Sequence, residues 1–149
     1  INLSLKETGS MKIELIIDAI AVLFLAIGGS LYFSYSKSRI KGLQIWTPIS
    51  KRLILNFLVP LATGGLFIII LYVQNQWQLI VPSMLIFYGL AIINAGKFTY
   101  SEVFYLGLAE ILTGLISAIS PEHAIFFWSF GFGLLHIAYG LFMYRKYEV

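Results

Sequence analysis

The stretch LILNFLVPLATGGLFIIILYV, from Leu53 to Val73, carries no charged residue. A run of this length matches the roughly 20 apolar residues that span a ~30 Å hydrocarbon core. Inside lipid no water satisfies backbone amides and carbonyls, so such a run must be helical. Working outward, four more apolar stretches of similar length follow the same logic: 13–35, 78–95, 102–119 and 124–144. The expected fold is all-α, a polytopic transmembrane helix bundle forming a single transmembrane domain over residues 1–149, with five spans.

The composition agrees. Hydrophobic residues make up 59% of the 149-residue chain and charged residues 11%, and mean hydropathy is +0.87. That leaves too little polar surface to clothe a water-exposed globule, so lipid is the expected solvent. The chain has no cysteine, which excludes disulfides, thiolate metal sites and thiol catalysis. Its two histidines, His123 and His136, are too few for a metal site without carboxylate help. No metal and no cofactor are therefore expected. The basic residues sit in short loops outside any nucleic-acid-binding motif, so no nucleic-acid partner is expected either.

The distribution of charge predicts orientation. A basic loop, 36–52, carries Lys37, Arg39, Lys41, Lys51 and Arg52, with Trp46 among them. It reads as a segment lying on anionic headgroups or as a contact surface for a cytoplasmic partner. This loop, the Lys97 turn and the C-terminus hold eight of the ten Lys and Arg residues; Lys6 and Lys12 lie on the other side. The positive-inside rule then puts the long loop and C-terminus in the cytoplasm and residue 1 on the opposite side of a multi-pass protein. Five spans with the N-terminus outside and no cleaved signal are awkward. One further upstream helix, giving six spans in a full-length protein, is the expected resolution.

Within the spans, Pro60 and Gly64-Gly65 predict a kink or freed carbonyl near the middle of 53–73. Asn56 is expected to bond to another helix. Pro82 lies in the first turn of the third span, where a missing donor costs little. Thr99 or Ser101 is the expected cap of the fourth, and Glu102 suits its positive N-terminus.

One eight-residue frame recurs in the last three spans. It reads Gly89-Leu90-Ala91-Ile92-Ile93-Asn94-Ala95-Gly96, then Gly107-Leu108-Ala109-Glu110-Ile111-Leu112-Thr113-Gly114, then Gly133-Leu134-Leu135-His136-Ile137-Ala138-Tyr139-Gly140. Positions i, i+3 and i+7 share a helix face, so each glycine pair flanks the fourth residue on a smooth strip. Membrane helices lack a hydrophobic drive to associate, and small-residue strips supply close packing instead. Gly89, Gly96, Gly107, Gly114, Gly133 and Gly140 are the expected packing positions. A chain rich in Gly, Leu and Ile also yields such matches by coincidence, and the packing inference does not need a duplicated unit.

Depth adds a polar layer. Eight residues separate Glu102 from Glu110, about 12 Å along a helix axis. His136 lies nine residues in from Arg145 and Tyr88 nine from Lys97, about 13–14 Å each. Glu110, His136 and Tyr88 should share one level, with Tyr139 and Asn94 nearer the cytoplasm. A lone carboxylate in hydrocarbon is costly, so Glu110 is expected to face the bundle and to be protonated or paired, with His136 as partner. The pair either locks two helices together or moves a proton or holds a polar ligand.

Several of these segments together resemble a family of small polytopic membrane proteins of Bacteroidota. They are Lys51-Arg52-Leu53 through Pro60 to Gly65, Leu85-Ile86-Phe87-Tyr88-Gly89-Leu90-Ala91, Asn94-Ala95-Gly96-Lys97, Leu106-Gly107 to Glu110-Ile111, and Gly131-Phe132-Gly133 to Tyr139-Gly140. The resemblance implies a further apolar segment upstream and carries no activity with it. No His-Glu-x-x-His motif, paired intramembrane aspartates or nucleophile-and-base motif is present, so enzymatic activity is not expected. The leading expectation is a non-enzymatic subunit, scaffold or regulator of a membrane assembly, with the bilayer and other membrane chains or further copies of itself as partners. The alternative is a small proton-linked transporter or channel using Glu110 and His136.

Overall fold

The computed structural model describes residues 47–147. The expected span 13–35 and the loop residues Lys37, Arg39, Lys41 and Trp46 lie outside the described residues. Within them the chain is helical, with no strand, and forms four helices long and apolar enough to cross a membrane. They are α1 (Pro48–Val73), α2 (Trp77–Gly96), α3 (Glu102–Ile119) and α4 (Pro121–Tyr147).

α1 begins five residues before the expected start at 53, so Lys51 and Arg52 belong to its opening turns and not to a loop. The cause is local. The Thr47 hydroxyl accepts from the Ser50 amide at 3.1 Å, and Pro48 occupies the first turn, where its lack of N–H costs nothing. The helix then runs through Pro60 and Gly64-Gly65 as one element. Asn56 does not reach another helix: its Nδ2 donates to the Arg52 carbonyl at 2.8 Å, one turn back. Thr63 likewise donates to Val59 O at 2.8 Å. In an apolar surround, a side chain that finds a carbonyl in its own helix needs no partner elsewhere.

The turn after α1 is a Schellman closure. Asn75 takes φ 59°, the Gln76 amide donates to Leu71 O at 2.9 Å, and the Asn75 amide donates to Tyr72 O at 3.1 Å. Asparagine is among the few non-glycine residues that adopt this left-handed conformation readily. The turn brings the Tyr72 and Trp77 rings to 4.7 Å, edge to face, at the end of the bundle away from the basic residues. α2 opens with a 3₁₀ turn, Trp77–Leu79. At its other end Lys97 Nζ donates to Asn94 Oδ1 at 3.0 Å. Neither expected residue caps α3: Ser101 makes no capping bond, and Thr99 donates to Ala95 O. Glu102 instead pairs with Lys146 at the end of α4 and accepts from the Tyr147 hydroxyl at 3.2 Å.

α2 and α3 form the centre, an antiparallel hairpin held by reciprocal glycine contacts. A Cβ placed on Gly89 would lie 2.6 Å from Gly107 O and 2.7 Å from Ile111 Cγ1. A Cβ on Gly107 would lie 2.7 Å from Gly89 O and 2.7 Å from Ile93 Cγ1. The first glycine and the fifth-place isoleucine of one frame thus meet their counterparts in the other, as two copies of one motif do about a local two-fold axis. Gly114 closes against Pro82, Leu85 and Ile86, and Gly96 lies beside Val103 and Phe104. α1 flanks α2, with Gly64 seated under Phe87. α4 lies across α2 and α3, and its one buried residue is Gly131.

The third frame does not pack in this way. Gly133 and Gly140 meet nothing among the described residues, and the contact expected of them is made by Gly131. The physical reason is a break in helical period. Residues Phe130–Leu135 form a π turn inside α4, so the spacing that aligned 133, 136 and 140 on a uniform α-helix no longer applies.

A Gly107→Ala substitution forces a methyl against the Gly89 carbonyl and should cost about 1–3 kcal/mol. Gly65→Ala, where nothing lies within 4 Å, should be neutral or stabilising by up to about 1 kcal/mol. Thermal unfolding of the two variants in detergent, followed by size-exclusion fluorescence, checks the ordering.

Candidate functional site

The Gly89–Gly107 contact decides what happens one helical turn away. With the backbones this close, the faces of α2 and α3 bearing Leu85 and Glu110 turn toward α4. Both residues have no accessible surface. Gly131 is the meeting point: a Cβ there would lie 2.5 Å from Leu85 Cδ2 and 2.6 Å from Glu110 Oε2. Only glycine lets the α4 backbone lie directly on the carboxyl group.

The π turn that carries Gly131 also sets the imidazole. His136 Nδ1 lies 3.0 Å from Gly131 O and 3.3 Å from Glu110 Oε1. Its Nε2 lies 3.0 Å from the Tyr88 hydroxyl. A carbonyl can only accept, so Nδ1 carries a hydrogen; in the neutral ring Nε2 is then the acceptor and Tyr88 the donor. The approach to Glu110 is within ion-pair range without being a hydrogen bond, because the Nδ1 hydrogen is aimed at Gly131 O. Both Glu110 oxygens, buried in protein, are left without a hydrogen-bond partner. Most buried side-chain polar atoms have a hydrogen-bond partner, so the two unmet oxygens set Glu110 apart within the cluster.

Aromatic rings wall the cluster on the α1 side. Tyr88 stands edge-on to Phe57 at 6.4 Å and lies 4.9 Å from Phe132, and Phe132 stacks on His136 at 6.3 Å. The His136 side chain is 30% exposed while that of Glu110 is fully enclosed, so the imidazole is the element between the carboxyl and the outside of the bundle.

Of the residues singled out from sequence, Glu110, His136 and Tyr88 are brought together. Tyr139 and Asn94 are not part of the group. Tyr139 lines a groove between α3 and α4 with Glu102, Leu106, Leu135 and Lys146. Asn94 lines another, between α1 and α2, with Leu55, Asn56 and Pro60. Both lie nearer the basic end, where the depth count puts them, but the distance from His136 along the bundle separates them from the cluster. Among the described residues no group of three His, Cys, Asp or Glu side chains is placed to hold a metal ion.

Two participants escaped sequence reading, Gly131 and Phe132. Both lie in Phe130-Gly131-Phe132-Gly133, two residues short of His136, and nothing in the sequence marks the π turn that brings them onto the cluster. Gly131→Ala should destabilise the bundle by about 1–3 kcal/mol. Glu110→Ala, by removing half of the clash, should recover part of that loss. A double-mutant cycle on thermal stability checks this, with a coupling term of about 0.5 kcal/mol or more expected for residues in contact.

No family model matches the chain, and no curated protein and no solved structure is similar to it at a significant level.

Proposed function

We propose that this chain is a non-enzymatic component of a larger membrane assembly, a subunit, scaffold or regulator whose outer helices pack against other membrane chains or further copies. The observation that carries the reading is the unequal fate of the three glycine frames. Two are closed against each other at backbone contact, while Gly133 and Gly140 of the third meet nothing among the described residues. A small-residue strip on a membrane helix is a surface that another helix backbone can approach closely. The flanking helices add to the argument, since α1 and α4 are far less enclosed than α2 and α3.

Charge supports the orientation. Lys51, Arg52, Lys97, Arg145 and Lys146 all fall at the helix ends on one side of the described bundle, whereas the opposite ends carry Glu122 and His123. That side is cytoplasmic under the positive-inside rule, in the inner membrane of a bacterium of the Bacteroidota, as the resemblance implies. The fifth span, 13–35, and a sixth upstream belong to the same proposal.

The chain's lack of cysteine makes the test clean. Gly140→Cys, oxidised in native membranes, should give a cross-linked product containing a second chain, and native purification should recover stoichiometric partners. The absence of any cross-linked product, together with a stand-alone monomer after mild solubilisation, overturns the reading.

A further inference from the structure

We infer that Tyr88, His136 and Glu110 form a proton-exchange site, in which a proton enters at the Tyr88 hydroxyl, crosses the imidazole and is held on the Glu110 carboxyl. The inference concerns the interior of the bundle and is independent of what packs on its outer faces.

The ligand class follows from size. Glu110 has no accessible surface, so a water-sized sphere cannot touch it, and its Oε2 is pressed against the Gly131 backbone. An ion or organic ligand would have to displace α4. A proton would not. The carboxyl is also the group in the cluster with unmet capacity, since neither oxygen has a hydrogen-bond partner. A residue serving only to lock helices would be expected to spend both oxygens on donors, because an unsatisfied buried polar group is destabilising.

The route follows from the histidine. Its two ring nitrogens face opposite ways, Nε2 to the Tyr88 hydroxyl at 3.0 Å and Nδ1 toward Gly131 O at 3.0 Å and Glu110 Oε1 at 3.3 Å. A small swing of the ring exchanges Gly131 O for Oε1 as the acceptor. In the transfer the Tyr88 O–H bond breaks as Nε2–H forms, and the Nδ1–H bond breaks as the O–H bond on Glu110 Oε1 forms. A hydronium ion at the half-buried Tyr88 hydroxyl replaces the proton given up and leaves as water. The net change is one proton from hydronium onto one carboxylate, with water released and the imidazole left as its other tautomer. Rotation of the ring or the reverse transfer resets it. The titratable groups facing Glu110 among the described residues are Tyr88 from α2 and His136 from α4. Glu102, further along α3, is engaged with Lys146.

Infrared difference spectroscopy on the full chain in lipid vesicles tests this. Acidification should raise a protonated-carboxyl band that is lost in Glu110→Gln, and transfer to heavy water should shift the band as the proton exchanges. In Tyr88→Phe, which keeps the ring and removes the hydroxyl, that exchange should slow by roughly 100-fold, the size of effect typical of a positioned proton-transfer group. A purely structural pair would show the same exchange rate with and without the hydroxyl, which overturns the route. A Glu110 band that does not change with pH in the wild type overturns the site, whatever the variants do. If Tyr88→Phe elutes as aggregate, exchange measured in Phe132→Leu and wild type decides the matter: similar rates uphold entry through the hydroxyl, and a rate set by opening the Phe132 wall overturns it.

Discussion

The close approach of two backbones at Gly89 and Gly107 is the constraint on which the rest of the described structure depends. Lipid tails are as apolar as leucine side chains, so nothing hydrophobic holds these helices together. Cohesion must come from many short van der Waals contacts, and these require that no Cβ stand between the helices. The reciprocal fit of Gly89 and Ile93 with Gly107 and Ile111 meets that requirement from both sides. With the hairpin spacing set, Leu85 and Glu110 are forced into a shared enclosed layer.

That layer creates a second demand. A carboxyl group placed there must be covered by a helix that can lie directly on it, and α4 does so through Gly131. The π turn over Phe130–Leu135 has two consequences at once. It places Gly131 on the packing face, and it orients the His136 ring so that Nδ1 is shared between the Gly131 carbonyl and Glu110. The irregular helical turn and the incomplete hydrogen bonding of the carboxyl occur at the same spot.

The basic end of the bundle is organised differently. Glu102 ties the start of α3 to Lys146 and Tyr147 at the end of α4, and the Tyr100 and Tyr147 rings lie 4.4 Å apart. Exposed ion pairs contribute little to stability individually. Here the pair joins the start of α3 to the end of α4, while the polar cluster engages the same two helices further along the bundle.

Apolar runs uninterrupted by charge determined, from sequence alone, that residues 53–73, 78–95, 102–119 and 124–144 are helices of membrane-spanning length. That information is local, because in hydrocarbon a backbone must satisfy its own hydrogen bonds within the segment. The same regularity made the shared depth of Tyr88, Glu110 and His136 countable at 1.5 Å per residue. Counting along an axis carries no information about rotation around it. Tertiary structure alone decided which glycines pack: Gly89 and Gly107 meet, Gly133 and Gly140 meet nothing among the described residues, and Gly131 replaces them through a π turn that breaks the period the frame relied on. It also decided that Asn56 bonds within its own helix and that Glu102, in the first turn of α3, pairs with Lys146 of α4. Each of these depends on the angle at which one helix faces another, and that angle is set by the packing of the whole bundle, not by any one segment.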